Sequence, residues 1–345
     1  MAAADRRRRI RRWPVLLAAL PLLFALGAAA WVFGPINDDP RPRRLDIAAG
    51  QGLRGVAAQV ERSTGANALA FAALAKLSGN APRLKAGSYD AEPGITPWAL
   101  LQKLARGDVA YAQITLVEGW TLQQLRELLA RSADLTHDSA GLADAELIDA
   151  VGARSLPGLP AEPLGAEGLF FPETYRFARM SGEVALLRQA HELLRKRLTE
   201  AWAGRAPGEI VATPYQALVL ASLIEKETGL AGDRGRISTV FHNRLRIGMP
   251  LQTDPSVIYG LGAAFDGNLR RRDLLADTPY NSYTRTGLPP TPIALVGAAA
   301  LQAALHPEPG SALYFVSRGD GSSVFSDTLE QHQRAVDRYL RRNRP

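Results

Sequence analysis

An uncharged, apolar run near the amino terminus constrains the fold of this chain most. Pro14 to Gly34 contains 21 residues without a charge. A helix of that length spans about 30 Å, which is the thickness of the hydrocarbon layer of a membrane. Trp13 and Trp31 lie at the two ends of the run, where indole rings favour the membrane interface. We therefore expect a transmembrane helix over residues 14–34.

The basic residues that precede this run predict its orientation. The first twelve residues contain six arginines and one aspartate, so most of the net charge of +7 lies in a tail over residues 1–13. Basic residues beside a membrane helix remain in the cytoplasm, which places the rest of the chain outside. The alternative is a signal peptide cleaved after Ala28–Ala30. Retention is favoured because the apolar run continues through Phe33.

Composition excludes several classes of chemistry. The chain has no cysteine, which excludes disulfides, thiol nucleophiles and thiolate metal sites. It has no glycine-rich loop ending in Gly-Lys-Ser/Thr and no interior basic and aromatic stripe, so we expect no nucleotide chemistry and no nucleic-acid partner. We expect no metal and no other cofactor, because the histidines do not show the spacing of zinc ligands. These are His137, His191, His242, His306 and His332.

The order of predicted elements divides the exported part in two. Residues 35–44 are polar and rich in proline, which indicates a linker. Residues 45–110 contain strand, helix, helix and strand in that order, and they resemble the LysM glycan-binding module, although many small α/β units share this order. Residues 111–345 form a larger α/β domain. We therefore expect a mixed α/β (α+β) fold behind an amino-terminal transmembrane helix.

Several element boundaries follow from the local pattern. Strands are predicted at Leu45–Ile47 and Leu84–Tyr89 in the smaller region. At the carboxy-terminal end, a hairpin is predicted to pair Leu313–Ser317 with Ser323–Phe325. A last helix is expected to begin near Thr328, where Gln331 completes a capping box.

The segment from Thr213 to Gly229 is the strongest candidate for a functional helix. Thr213 is a favourable cap, Pro214 suits the first helical position, and Gln216 completes a capping box. The residues that follow are apolar nearly all round the helix, which predicts burial. Gly229 is expected to end the helix.

Two glutamates, Glu225 and Glu227, lie in the last turn of this predicted helix. Burial and the negative end of the helix dipole both raise a carboxyl pKa. A carboxyl group that is protonated near neutral pH can donate the proton that cleavage of a glycosidic bond requires. The alternative is that both glutamates are solvated at a helix end. Because residues two apart are about 200° apart around a helix, only one can point inward, and periodicity leaves open which one.

Several longer motifs resemble the MltG (YceG-like) family of endolytic transglycosylases. They are Ala166–Tyr175, Leu220–Thr228, Val240–Met249, Leu251–Pro255, Tyr280–Tyr283 and Thr286–Pro290. The resemblance implies a single-pass protein of the bacterial inner membrane with its amino terminus in the cytoplasm and its catalytic domain in the periplasm. It implies cleavage of the MurNAc–GlcNAc bond within peptidoglycan strands, which leaves a 1,6-anhydro-MurNAc end. Peptidoglycan synthases are the partners that it implies.

The resemblance also assigns roles to residues. Glu227 matches the catalytic glutamate of the family, and Glu227-Thr228 is similar to the Glu-Ser signature of other lytic transglycosylases. Glu225 is a candidate supporting acid. The candidates for substrate binding are Gln252, Thr253, Asp254, Asn281 and Tyr283.

Two other functions compete with a transglycosylase. A hydrolase acting on the same strands would need a second carboxylate as base or nucleophile. Asp254 is the candidate, although Thr253-Asp254-Pro255 is also an ordinary turn motif. The other competitor is an anchored scaffold without enzymatic activity, which would bind glycan through residues 45–110 and recruit proteins of the cell-wall machinery.

Overall fold

The computed structural model describes residues 13–162, 165–208 and 210–341. These residues form two compact units. The amino-terminal unit holds the described residues up to Ala112 together with Ala178–Met180. The carboxy-terminal unit holds Gln113–Phe177 and the described residues from Ser181 onward. Helices and short strands alternate along the chain, so the predicted mixed α/β class is confirmed.

The amino-terminal unit contains a small sheet and packed helices. Strands β1 and β2 pair antiparallel, with Leu45 opposite Tyr89. Both residues are fully buried, and Phe71 and Leu100 from the helices pack in the same core. The elements are α1 (Trp13–Phe33), β1 (Arg43–Ile47), α2 (Leu53–Thr64), α3 (Ala68–Leu77), β2 (Gly87–Ala91) and α4 (Pro97–Arg106).

The predicted order of strand, helix, helix and strand is therefore confirmed, but the strand bounds differ. β1 begins at Arg43 rather than Leu45. β2 covers Gly87–Ala91 rather than Leu84–Tyr89, and the Lys85 backbone N–H before it donates to the Leu104 carbonyl of α4 at 3.2 Å instead of to a strand. This order is common to many small α/β units and does not by itself identify a LysM module.

A helix is present where the membrane helix was predicted. It is α1, whose bounds differ by one residue from the predicted 14–34. Within the part of the chain that the structure describes, however, no helix combines the length and apolarity needed to cross a membrane. Residues 1–12 of the predicted basic tail and the side chains of residues 13–19 lie outside the described part.

The carboxy-terminal unit is mainly helical. Its strands form three separate pairs: β3 with β5, β4 with β6, and β7 with β8. The elements are β3 (Tyr111–Thr115), α5 (Leu122–Ala130), β4 (Leu135–Thr136), α6 (Asp144–Val151), β5 (Thr174–Ala178), β6 (Ser181–Gly182), α7 (Glu183–Ala203), α8 (Pro214–Glu227), α9 (Ala231–Arg246), α10 (Asp254–Leu261), α11 (Arg271–Leu275), α12 (Ala298–Leu305), β7 (Tyr314–Ser317), β8 (Ser323–Ser326) and α13 (Leu329–Val336).

Helix α8 lies at the centre of this unit. It packs against α7, α9, α10 and α12. Every residue of the apolar stretch from Ala217 to Ile224 is buried. The Ser222 hydroxyl accepts a hydrogen bond from the backbone N–H of Ile293 at 3.0 Å, which ties α8 to the segment before α12. This burial fixes the position of the last turn, where the two glutamates lie.

The end of the chain agrees with the sequence patterns. β7 and β8 form an antiparallel hairpin in which Phe315 lies opposite Phe325. Helix α13 then starts after Thr328, and Thr328 and Gln331 form the predicted capping box. This hairpin and helix contribute to the site described next.

Candidate active site

Helix α8 begins and ends close to its predicted bounds, but two details differ. The Thr213 side chain accepts from the Gln216 backbone N–H at 3.2 Å, as expected for a cap. The Gln216 side chain instead accepts from the Ala212 N–H, one residue before the cap. The helix ends because Thr228 is extended, with φ −151° and ψ 134°, so Gly229 is not its terminator.

The two glutamates leave α8 in different directions. Glu227 is partly buried, and its carboxylate accepts a hydrogen bond from the Thr253 hydroxyl. Burial raises the pKa of Glu227 to about 7, and the neighbouring charge of Asp254 adds to the rise. The Thr253 hydrogen bond and the charge of Arg244 oppose it. Glu227 can therefore both donate and accept a proton near neutral pH.

A rigid loop before α10 presents Thr253 to Glu227. Thr253 is buried, and its backbone N–H donates to the Ser282 hydroxyl at 2.9 Å. The preceding residue, Gln252, has a φ of 51°, which is unusual for a residue with a side chain. Its backbone N–H donates to the Ser282 carbonyl at 2.9 Å, which holds this conformation in place.

Arg244 connects this loop to the carboxy-terminal hairpin. Its guanidinium donates to the carbonyls of Leu251 at 2.8 Å and Leu313 at 2.7 Å. It also donates to the Gln252 side chain at 3.2 Å. Arg244 thus fixes the geometry around Glu227 and places a positive charge near its carboxyl group.

Asp254 and Tyr283 form a second polar pair beside Glu227. The Tyr283 hydroxyl donates to the Asp254 carboxylate at 2.5 Å. Thr253-Asp254-Pro255 is not an isolated turn, because α10 begins at Asp254 with Pro255 in its first turn.

An open cavity of about 420 Å³ joins these groups. It brings together four of the predicted site residues and Arg244 with three rings of the carboxy-terminal segment. Its walls are formed by Glu227, Arg244, Leu251, Gln252, Asp254, Tyr283, Tyr314, Phe315, Leu329, His332 and Gln333. Thr253 is not one of the lining residues and reaches them through its hydrogen bond to Glu227.

A second cavity of about 480 Å³ is slightly larger but chemically different. Its walls include Tyr215, Leu245 and Pro289 and contain no carboxylate, histidine, lysine or arginine among the described residues. The one ionisable side chain among these described residues is Tyr215, and burial raises the pKa of that phenol above its usual value. This cavity therefore lacks a group that exchanges a proton near neutral pH, and we place the candidate active site at the Glu227 cavity.

Two predicted site residues are not brought to this cavity. Glu225 accepts from the Gly297 backbone N–H at 3.0 Å, on another side of α8. Burial raises its pKa, and the charge of Glu118 contributes to the rise. The Asn281 amide donates to the carbonyls of Asp273, Leu274 and Ala276. Asn281 therefore joins its own loop to the end of α11 instead of lining the cavity, which explains its burial.

Sequence reasoning did not assign roles to Arg244, Tyr314 or His332, which all line the cavity. Arg244 lies within one of the recognised motifs, and that motif was the one signal available for it. Tyr314 and His332 carry no local signal, because only the folded hairpin and α13 bring them to the site.

A buried carboxyl group away from the cavity was also missed. Glu167 accepts from the Leu122 backbone N–H at 2.9 Å and from the Gly168 N–H at 3.2 Å. Burial raises its pKa to about 7. It is only 4% exposed, so its position at the start of α5 indicates a structural carboxyl group.

The model of the YceG-like family matches residues 45–338. The chain is 33% identical over 325 residues to a Bacillus subtilis protein named "Endolytic murein transglycosylase", covering 89% of this chain and 87% of that protein. It is 28% identical over 297 residues to a Streptococcus pneumoniae protein of the same name. That match covers 79% of this chain and 53% of the pneumococcal protein, about half of its length.

A solved structure is also similar. The crystal structure of a YceG-like protein from Listeria monocytogenes matches with a TM-score of 0.53 and 29% sequence identity. The match covers 86% of this chain and 99% of the Listeria chain. Since the family model spans most of the sequence, from the first strand to the last helix, this chain belongs to the YceG-like family.

Proposed function

We propose that this chain is a lytic transglycosylase that cleaves peptidoglycan strands internally. One observation carries the proposal: Glu227, with a pKa raised to about 7 by burial, accepts a hydrogen bond from Thr253 at the edge of an open cavity. The names of the Bacillus and Streptococcus relatives support the same activity and substrate.

Glu227 serves first as the acid and then as the base in this reaction. It transfers its proton to the oxygen that links MurNAc C1 to GlcNAc, and the C1–oxygen bond breaks. The resulting carboxylate takes the proton of the MurNAc 6-hydroxyl, whose oxygen then bonds to C1. The products are a 1,6-anhydro-MurNAc end and a free GlcNAc hydroxyl, and Glu227 regains its proton. Water is not consumed.

The surrounding residues bind the strand and tune the acid. Burial and, to a smaller extent, Asp254 disfavour the anionic form of Glu227, whereas Thr253 and Arg244 favour it, so the pKa of this carboxyl group is about 7. Gln252, Asp254 and Tyr283 face the same cavity and offer amide, carboxylate and phenol groups to an N-acetylated sugar. Asn281 acts indirectly, by holding the loop that carries Tyr283.

A hydrolase acting on the same strands is the second candidate, because Asp254 lines the cavity together with Glu227. In that reaction Asp254 would activate a water or attack C1, and the product would carry a reducing end. The Tyr283 hydroxyl bonds to Asp254 and would compete with a water for its carboxylate. We therefore rank the transglycosylase first.

The position of the enzyme in the cell is part of the proposal. The uncharged run over residues 14–34 and the arginines before it support a single-pass anchor in the inner membrane, with the carboxy-terminal unit in the periplasm. The antiparallel β1–β2 pair with its two intervening helices supports a LysM-like, glycan-binding role for residues 45–110. Peptidoglycan synthases are the partners we propose, since cleavage of a growing strand ends its extension.

Digestion of purified peptidoglycan by the full-length protein tests this function, with the fragments identified by mass spectrometry. We expect fragments with 1,6-anhydro-MurNAc ends. Reducing ends would instead identify a hydrolase. Binding to the strands without any cleavage would favour the scaffold. The anchor is tested separately by the mass of the mature protein, and an amino terminus at Trp31 would contradict it.

A further inference from the structure

The carboxy-terminal segment forms one wall of the Glu227 cavity. Tyr314 on β7 and His332 on α13 stack with their ring centroids 5.2 Å apart and their planes 22° apart. The Arg244 guanidinium lies 5.3 Å from the centroid of the same Tyr314 ring. Both rings line the cavity. The imidazole plane therefore packs against an aromatic neighbour, on a wall of the cavity that the proposed acid also lines.

One nitrogen of this imidazole has no partner among the described residues. The Nδ1 atom of His332 is buried and makes no hydrogen bond to any of them. Buried polar groups in folded proteins nearly always have a partner, whether protein, water or ligand. Because Nδ1 is enclosed, Nε2 is the nitrogen through which a molecule in the cavity can be contacted.

The charge state of His332 suits a neutral ligand. Burial lowers the pKa of His332, and the charge of Arg244 lowers it further. The other ionisable side chains that share the cavity wall are Glu227, Arg244, Asp254, Tyr283 and Tyr314. At neutral pH an uncharged imidazole has one donor and one acceptor nitrogen. Such a group matches the hydroxyl and acetamide groups of an N-acetylated sugar.

An apolar side chain extends the same wall. Leu329, one turn before His332 on α13, is 55% exposed and lines the cavity. Ligand sites commonly combine apolar and aromatic surface with a few polar groups. This wall has that combination, which suits the mixed apolar and polar surface of a sugar.

We propose that His332 is a substrate-contacting residue, whose Nε2 forms a hydrogen bond with a hydroxyl or acetamide group of the glycan bound beside Glu227. The inference rests on the proposed function, because it takes the glycan to occupy the Glu227 cavity. It assigns α13 and the hairpin before it a role in substrate binding in addition to a role in packing.

Glycan binding in a variant that cannot cleave tests this contact directly. The probe is peptidoglycan glycan from which the stem peptides have been removed, and the protein is full-length Glu227→Gln. We compare it with the double variant Glu227→Gln/His332→Phe, since phenylalanine keeps the stack on Tyr314 but removes both nitrogens. The matched control is Glu227→Gln/His306→Phe, because His306 bonds to the Gly204 carbonyl and does not line the cavity.

We expect the His332→Phe double variant to bind glycan about 5- to 10-fold more weakly, as for the loss of one hydrogen bond between uncharged groups. The His306 control should bind as Glu227→Gln does. In the otherwise wild-type enzyme, His332→Phe should raise KM by a similar factor and leave kcat within about 2-fold, the sign of an interaction present in both ground and transition states. The His332 imidazole resonances should also shift when glycan is added to Glu227→Gln.

The outcomes separate this inference from the proposed function. Equal binding with and without His332, in a protein that still yields anhydro-ended fragments, would overturn the contact and leave the function standing. Failure of the wild-type protein to release anhydro-ended fragments would overturn the proposed function and, with it, the contact that rests on it. A His332→Phe variant with a lowered kcat, an unchanged KM and a lower unfolding temperature would show that His332 acts only in packing.

Discussion

The two sides of the end of α8 differ in their neighbours far more than in their local sequence. Glu225 and Glu227 share the last turn of one helix, and burial raises the pKa of both. On the Glu227 side the carboxylate meets the Thr253 hydroxyl and an open cavity. On the Glu225 side it meets the Gly297 backbone N–H, and a carboxylate, Glu118, lies nearby. One side can admit a substrate, whereas the other fastens the start of α12.

This difference shows that a raised pKa alone does not identify an acid catalyst. Glu167 has a pKa of about 7, as Glu227 has, yet it is 4% exposed and occupied by backbone N–H donors. Glu227 differs from Glu167 in two ways. It lines an open cavity, and its hydrogen bond to Thr253 leaves one carboxylate oxygen available. Perturbed pKa values mark candidates for function, and geometry selects among them.

Replacing each glutamate in turn should distinguish the two sides of the end of α8 most clearly. Glu227→Gln should lower the rate of peptidoglycan cleavage by about 10²- to 10⁴-fold, the usual contribution of a general acid. Glu225→Gln should leave the rate nearly unchanged, because glutamine can still accept from the Gly297 N–H. The initial rate of formation of anhydro-ended fragments measures both. A loss of activity in Glu225→Gln with Glu227→Gln fully active would reverse the assignment.

Glu227 should make the protein less stable as pH rises, whereas an ion-paired carboxylate makes a protein more stable as pH rises. The folded-state pKa, about 7, lies above the ordinary value of 4.5. Between these values the folded protein binds a proton that the unfolded chain releases, so its stability falls as pH rises through this window. Glu227→Gln avoids that loss. It should exceed wild type in free energy of unfolding by about 1–3 kcal/mol near pH 8, given about 1.4 kcal/mol per pH unit.

Urea unfolding of both proteins near pH 4 and pH 8 checks this expectation. Near pH 4 the difference should vanish, since the carboxyl group is protonated in both the folded and unfolded states. A constant difference at both pH values would show that the substitution acts through packing and that Glu227 is not titrating near neutral pH.

The neighbours of Glu227 should shift the pH–rate profile in opposite directions. The rate should fall as pH rises through about 7, because the general acid must be protonated. Thr253→Val removes a hydrogen bond that favours the anion and should move this fall to higher pH. Asp254→Asn removes a negative charge that disfavours the anion and should move it to lower pH. Shifts of about one pH unit or less are expected for single contacts at a partly exposed site.

The measured quantity is the pH at which kcat/KM falls. The maximum value of kcat/KM is not compared, because the Thr253 and Asp254 side chains adjoin the cavity. Thr253→Ser keeps the hydroxyl and serves as the matched control, with the profile of wild type. Shifts of Thr253→Val and Asp254→Asn in the same direction would contradict the electrostatic account.

The sequence predicted α8 itself but not the direction of its glutamates. Cap residues and an unbroken apolar run are local signals, and the predicted bounds lie within one residue of Pro214–Glu227. Which glutamate faces the cavity depends on Thr253 and Gly297, which reach α8 only through tertiary folding. A helix that is apolar on every side gives no periodicity from which to infer a face. The family resemblance supplied the choice that periodicity could not.

Asn281 and His332 illustrate the same limit for binding residues. A sequence motif predicted substrate binding by Asn281, but not that its amide donates to three carbonyls at the end of α11. His332 appeared as one of five scattered histidines. Its position beside Tyr314 follows from a hairpin that turns the chain back and a helix that packs on it. Contacts of this kind cannot be read from local patterns.

The Glu225 side should show the smallest effect, and it should be an effect on stability. Glu225→Ala removes the acceptor for the Gly297 N–H at the start of α12. Leaving that partly buried donor unpaired should cost about 1 kcal/mol in the free energy of unfolding. Glu225→Gln should recover most of this loss, because its amide oxygen can take the place of the carboxylate. Cleavage by both variants should remain close to wild type.

Comparing these variants by thermal unfolding and by product formation shows whether the two sides are independent. Contacts without shared partners usually contribute additively to stability. Glu225 and Glu227 have no common hydrogen-bond partner among the described residues, so Glu225→Ala should destabilise wild type and Glu227→Gln equally. A Glu225→Ala variant that lost activity while keeping its unfolding temperature would instead mean that α12 controls the position of Glu227. The division of one helix end into a catalytic side and a structural side would then be wrong.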